Sequence, residues 1–348
     1  MNSMRVLVTG HQGYLGTVMV PLLQERGHTV VGLDSGLFAD CVLGDAPADP
    51  VTLATDLRDV VAADLTGVDA VVHLAALSND PLGTLAPEIT HDINHHASVR
   101  LARAAKDAGV GRFLYASTCS VYGAAGQDAV TEDAVLRPLT PYAVSKVRVE
   151  DDVAAMADDS FAPVFLRNAT AFGYSPRLRA DIVVNDLTAS AFLTGRIVVK
   201  SDGTPWRPLV HARDIAYAFA AALEAPVDRI RNRALNIGTE ANNVTVRDIA
   251  ETVADVTGAE VVVTGEYGAD PRSYRVDFSA AREVLPAFVP EWSVRAGAEE
   301  LVAAYARHGL TADALAQRFT RLARVTELQR TGAIDENLRR TRVGVGSA

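Results

Sequence analysis

The first half of the chain alternates short, almost wholly apolar runs with stretches of helical period. Arg5–Thr9, Thr29–Leu33, Ala70–Leu74, Phe113–Ala116 and Val164–Leu166 are dominated by Val, Leu, Ala and Phe. Such runs suit strands buried on both faces. Between them, Tyr14–Arg26, Ile93–Asp107 and Tyr142–Met156 read as helices. Repeated strand–helix–strand units predict an α/β fold built on a doubly wound parallel sheet with right-handed crossovers.

The second half is less regular. Helices are expected at Ile182–Leu193, Asp214–Glu224 and Thr245–Val256, and strands at Ile197–Val199, Ala234–Ile237 and Glu260–Val263. These lengths suit a smaller C-terminal lobe packed on the strand ends of the first unit. The expected division is 1–180 for the first unit, 181–305 for the lobe, partly interleaved with it, and 306–348 for a helical extension and tail. In the extension Leu310, Leu315, Phe319, Leu322 and Val325 recur at roughly helical spacing, with Arg318, Arg321, Arg324 and Arg330 among them. This predicts an amphipathic helix lying on its own domain or on a partner subunit, with substrate gating or contact with an anionic group as the alternative. The tail past Arg342 is expected to be disordered.

Composition narrows the class. The chain has 348 residues, 49% hydrophobic and 22% charged, as in an ordinary globular enzyme. A net charge of −10 argues against nucleic acid or an anionic membrane as partner, although a local basic pocket is compatible with it. Two cysteines, Cys41 and Cys119, are too few for a disulfide framework and suit a reducing compartment. Met1 runs almost directly into a strand with no signal-peptide core, and no apolar run reaches the ~20 residues that span a bilayer. A soluble cytoplasmic protein is expected.

Candidate chemistry begins at the first strand end. Gly10-His11-Gln12-Gly13-Tyr14-Leu15-Gly16 joins a strand to a helix. Glycines at 10, 13 and 16 permit a tight turn, close approach of a diphosphate to the main chain, and close helix–strand packing. The second strand ends in Gly32-Leu33-Asp34. A carboxylate there accepts hydrogen bonds from an adenosine ribose and repels a 2′-phosphate, which favours NAD over NADP. His11 reads as a loop residue.

Lysine is rare: only Lys106, Lys146 and Lys200 occur among 33 Lys and Arg. Lys146 stands one helical turn after Tyr142, so both side chains leave the same helix face. The pair is either an exposed surface couple or a general base, because an ammonium beside a phenol favours the phenolate and lowers a pKa that is ordinarily ~10.

Together these motifs resemble the extended short-chain dehydrogenase/reductase family, the nucleotide-sugar epimerases and dehydratases, including enzymes of the UDP-glucose 4-epimerase type. The resemblance covers roughly residues 4–305 and implies a Rossmann domain, bound NAD and no metal. Asp56-Leu57 is similar to the family's adenine-contacting pair, and His73-Leu74-Ala75-Ala76 to its pyrophosphate-lining strand end. Asn94 matches an asparagine that supports the active site and is grouped with the cofactor contacts, as is Ser117. Ser117-Thr118-Cys119-Ser120-Val121-Tyr122-Gly123 resembles the segment carrying the catalytic hydroxyl, which falls on Thr118. By resemblance Tyr142 takes the proton of a sugar hydroxyl, Thr118 hydrogen-bonds that oxygen, and Lys146 holds the nicotinamide ribose. Asn185 and Arg207 match residues that meet the nucleotide diphosphate, and Arg272, in preference to Arg275, matches a second phosphate-binding arginine. Thr170 stands where relatives often carry a substrate-contacting asparagine. Asp214 is expected to cap a helix, and a homodimer is implied through the helix bearing Tyr142 and its neighbour.

Cys119 and Ser120 occupy the positions at which dehydratases carry an acid/base pair and decarboxylases a glutamate. A thiol of ordinary pKa ~8.5 and a hydroxyl do not replace such a pair. Dehydration and decarboxylation are thereby disfavoured. Epimerisation at C4 through a transient 4-keto-sugar is preferred, with NAD(P)H-dependent reduction of a 4-keto-sugar as the alternative and a non-catalytic NAD-binding protein a further one.

Overall fold

The computed structural model describes residues 3–45, 48–78, 83, 86–124, 128–266 and 273–341. Its strands in chain order are β1 (Arg5–Thr9), β2 (Thr29–Leu33), β3 (Val51–Leu53), β4 (Ala70–His73), β5 (Arg112–Thr118), β6 (Ala129–Val130) and β7 (Ala162–Asn168). They continue with β8 (Thr170–Phe172), β9 (Arg196–Val199), β10 (Trp206–His211), β11 (Arg233–Ile237), β12 (Asn243–Thr245), β13 (Glu260–Val263) and β14 (Arg275–Val276). The central sheet is parallel, in the order β11-β7-β5-β4-β1-β2-β3. Strand order reverses between β1 and β4. The crevice outside their carboxyl ends is therefore the place where such sheets bind ligands.

Alternation along each strand dresses both faces of this Rossmann sheet. Leu7, Val31, Val71, Phe113 and Phe165 pack beneath the helices Ala97–Asp107 and Pro141–Ala154. Val6, Val8, Val30, Val72 and Leu114 face Tyr14–Glu25 and Ala212–Glu224 instead. The strands β5 and β7 run on through polar ends, Ser117-Thr118 and Asn168, which carries them into the crevice. A π turn, Asp92–His96, precedes Ala97–Asp107 where a regular helix is predicted from Ile93.

The second lobe combines the sheet β12-β10-β8 with the pair β13-β9. The helices Val183–Thr194, Val246–Thr257 and Val294–His308 close over a core that includes Phe172, Ile197, Leu209, Ile249, Leu301 and Tyr305. Helix Ala212–Glu224 corrects one expectation. His211 is its cap, accepting from Arg213 N, while Asp214 accepts from Glu291 N and Trp292 N and ties down a distant loop.

The extension is two helices, Ala312–Arg318 and Arg321–Arg330, not one. Phe319 is buried in the second-lobe core and its carbonyl accepts from Ala180 N, so that group is lost to the helical ladder and the chain turns. Both cysteines are free and buried. Among the described residues no helix is long and apolar enough to cross a membrane.

Candidate active site

A cleft of about 480 Å³ opens at the strand-order reversal. Its floor is the glycine turn, with Gly10, Gln12, Gly13, Tyr14, Leu15 and Gly16 all lining it. Gly10 has φ +72°, and a Cβ there would stand 2.9 Å from Ala75 N. A Cβ on Gly16 would stand 2.3 Å from Gly10 O. No side chain caps the helix Tyr14–Glu25, whose cap is Gly13, and its first turn carries no acid. The positive helix end and its main-chain N–H groups are thus unshielded by side chains, a cradle that fits the diphosphate of a dinucleotide. Asp34 lines the same cleft and braces the turn, its Oδ2 accepting from Gln12 N (3.0 Å) and its Oδ1 from Gly36 N (2.8 Å). Each oxygen keeps a lone pair for a ribose hydroxyl.

The wall formed by Leu74, Ala75 and Ala76 is held from behind by a buried relay. Ala75 N donates to Thr9 Oγ1, which lies 2.6 Å from His73 Nδ1; His73 Nε2 is 2.7 Å from Ser98 Oγ, which donates to Asn94 O. That order makes Nε2 the protonated nitrogen of His73, and burial holds its pKa down to about 3, so the ring stays neutral. Asn94 does not line the cleft: its amide exchanges hydrogen bonds with Leu77 N (2.7 Å) and Leu77 O (3.0 Å). It thereby holds the main chain at Leu77, which does line the cleft. Asp56 and Leu57 do line the cleft, but Asp56 is clasped by Arg58 through Nε (2.8 Å) and Nη2 (2.7 Å). Burial raises its pKa, but the bonds to Arg58 lower it by more, leaving the carboxyl below its ordinary range.

Thr118, Tyr142 and Lys146 converge on the opposite wall. Thr140 caps the helix Pro141–Ala154 by accepting from Ala143 N, and Pro141 opens its first turn, so Tyr142 emerges at the helix start. Lys146 Nζ lies 5.5 Å from the Tyr142 ring centroid and 4.5 Å from that of Tyr115, and donates to Ala116 O at 2.6 Å. The pair is no surface couple, since Lys146 is 2% exposed. Burial pushes its pKa down to about 7, with Glu150, one turn further along, acting in the opposite direction. Thr118 Oγ1 accepts from Ser120 N at 3.1 Å, which fixes the oxygen and leaves the O–H as a donor.

Behind this trio lies a buried ion pair. Arg167 Nη2 meets Glu150 Oε2 at 2.6 Å, and Ser117 Oγ donates to Glu150 Oε1 at 2.5 Å. Ser117 lines the cleft, and its hydroxyl donates its proton to Glu150. Cys119 donates to Arg167 O at 3.1 Å, and burial pushes its thiol far up, away from any acid/base role.

On the second-lobe side Thr170 and Arg207 line the cleft, and Arg207 Nη1 donates to Trp206 O. Asn185 does not. It is fully buried, with its amide spent on Gly173 N, Gly173 O and Arg179 O, so its side chain is unavailable to a substrate phosphate. Arg272 lies outside the described residues. Arg179, Asp181, Arg321 and Leu338 also line the cleft and carry no motif that marks them. Arg179 Nε binds Asp181 (2.9 Å) and its Nη1 donates to Ser78 Oγ (2.9 Å).

Comparison with known proteins places this architecture. The model of the NAD dependent epimerase/dehydratase family matches residues 6–238. The UDP-glucose 4-epimerase of Mycolicibacterium smegmatis is 31% identical over 297 residues, 81% of this chain and 92% of the relative. The structure of MoeE5 in complex with UDP-glucose and NAD is 31% identical with a TM-score of 0.75, covering 87% of this chain and 99% of its own. DesIV, a dTDP-glucose 4,6-dehydratase from Streptomyces venezuelae with NAD bound, is 25% identical with a TM-score of 0.76, covering 89% and 100%. With a cradle shaped for a dinucleotide and a family match across most of the chain, the protein belongs to the NAD-dependent epimerase/dehydratase family and is an NAD-dependent enzyme of the extended short-chain dehydrogenase/reductase type.

Proposed function

We propose that the chain epimerises a UDP-linked hexose at C4. The observation that carries this reading is the composition of one wall: Thr118, Tyr142 and Lys146 line the cleft beside the glycine cradle, while Cys119 is buried and bonded to main chain and Ser120 is a hydroxyl. Hydride chemistry needs the trio; elimination of water would need a further acid and base at positions that lack them. The M. smegmatis relative, named a UDP-glucose 4-epimerase, and the MoeE5 complex with UDP-glucose support the choice of a UDP-sugar.

In this reading residues 1–180 hold the cofactor, 181–305 hold the nucleotide sugar, and Arg207 meets its diphosphate. Bound NAD supplies the site that takes up a hydride and gives it back. Tyr142 removes the proton of the C4 hydroxyl and later returns it, so acid and base are one residue in its two protonation states. Thr118 donates a hydrogen bond to the same oxygen as negative charge grows on it. Lys146, when protonated, stabilises charge on the Tyr142 oxygen.

The test is a panel of UDP-, dTDP-, GDP- and CDP-sugars incubated with protein and NAD without reductant, followed by NMR. Interconversion of C4 epimers is expected, with Tyr142→Phe lowering turnover by about 10²–10⁴-fold and Thr118→Val by roughly tenfold or more. Stoichiometric consumption of NAD(P)H with a keto-sugar, or release of water into a 4-keto-6-deoxy product, would overturn it.

A further inference from the structure

The extension folds back over the dinucleotide side of the cleft. Arg318 Nη2 donates to Val42 O (2.7 Å) and Arg324 Nη2 to Asp40 Oδ2 (2.6 Å). Arg340 donates to Ser35 O and Gly36 O, in the loop that follows Asp34. On the far rim Arg339 Nη1 pairs with Asp59 (2.6 Å), and Arg58 Nη1 donates to Asn337 O (2.9 Å). The segment is thus fastened to both lips of the cleft. Leu338 packs with Leu37, Leu77, Val325, Leu328 and Ile334 and reaches the cleft lining beside Arg58.

Arg321 is the unusual member of this segment. It lines the cleft yet is 4% exposed, with its guanidinium carbon 4.3 Å from the Phe38 ring centroid. Nη2 reaches Arg177 O at 3.4 Å, and Nη1 is sealed from solvent with no hydrogen-bond partner among the described residues. Burial, and then the neighbouring Arg179, push its pKa down to about 10. A buried guanidinium charge is costly, and an anion in the cleft beside it offsets that cost. The fork of a guanidinium suits phosphate oxygens. Two diphosphates belong in this cleft, and the neighbours of Arg321 choose between them. Phe38 lies on the loop after Asp34, the cofactor wall, whereas Arg207 stands on β10 of the other sheet.

We propose that the segment 311–341 is a third wall of the NAD site, in which the Arg321 guanidinium sets its positive charge against the cofactor diphosphate and Leu338 closes the adenosine end, so that NAD is retained between turnovers. Arg321 is a binding residue in this assignment and takes no part in proton transfer.

The experiment uses the full-length protein and Arg321→Gln, which keeps a planar donor and loses the charge. Dissociation of labelled NAD is followed in a chase with unlabelled NAD, and affinities for ADP and adenosine are measured alongside. NAD should leave roughly ten- to a hundredfold faster from the variant, and ADP should weaken in step while adenosine does not. Equal weakening of ADP and adenosine would show a disordered wall in place of a diphosphate contact. Unchanged NAD dissociation would overturn the assignment, and a raised KM for the nucleotide sugar with NAD unchanged would assign Arg321 to the substrate instead. Hydrogen exchange across 311–341 checks that the variant keeps the segment folded. These readouts concern dinucleotide binding and stand or fall independently of the reaction at C4.

Discussion

Lys146 makes a measurable demand on stability, and replacing it with Met should expose that demand. The folded chain holds this lysine at about 7 against an ordinary 10.5, with burial as the main cause. Each unit is worth about 1.4 kcal/mol, so the full depression corresponds to roughly 5 kcal/mol. The sign follows from proton counts. Between pH 7 and 10.5 the unfolded chain binds a proton that the folded chain lacks, so stability from this group rises with pH across that window. Below about pH 7 the cost of burying the ammonium is present in full. Met removes that cost and also removes the hydrogen bond to Ala116 O, a loss of about 1–3 kcal/mol. In cofactor-free protein, Lys146→Met should therefore be more stable than wild type by roughly 2–4 kcal/mol near pH 6, and less stable by about 0–2 kcal/mol near pH 10, where about 1 kcal/mol of the burial cost remains. Urea unfolding of both proteins at each pH reads the difference directly. NAD is left out because a ligand bound only to the folded form would add its own stabilisation. A stability difference that stays the same at the two pH values would refute the buried-charge account.

Glu150→Gln should cost about 3–5 kcal/mol in unfolding free energy, because it leaves the buried Arg167 guanidinium without its carboxylate. The same substitution should move the alkaline limb of the pH–rate profile to lower pH, since Glu150 raises the Lys146 pKa; an unmoved profile would break that link. Gly16→Ala places a Cβ 2.3 Å from Gly10 O and 2.5 Å from His11 Cα, both main chain. Thermal unfolding should show a loss of at least about 2 kcal/mol, and dialysis should show NAD binding weakened with it; a variant that binds NAD normally would show that helix and turn have room to separate.

Motifs that work through main-chain geometry were legible from order along the chain. The glycine turn, Asp34 and the Tyr142/Lys146 pair are each local, and the strand-order reversal brings them to one cleft. Polar residues that work through distant partners were not legible in the same way. Ser117, Asn94 and Asn185 carry groups that suit a ligand, yet their hydrogen bonds go to Glu150, Leu77 and Gly173, choices made only when the elements pack. Position in a motif says that such a residue matters; it does not say whether its polar atoms face inward or toward the site.

The extension shows the same limit more sharply. Its arginines are visible in the sequence, and a continuous helix would sort them by angle around one axis. The chain instead turns at Phe319, whose side chain enters the second-lobe core, and the rotational phase is reset at Arg321. Arg318 and Arg324 then grip the loop around Asp40 through its carbonyls and carboxylate, while Arg330 stays outside with Glu327. Arg321 alone of these four is carried into the cleft. One buried phenylalanine thus decides which guanidinium lines the cleft, and helical periodicity holds no record of it.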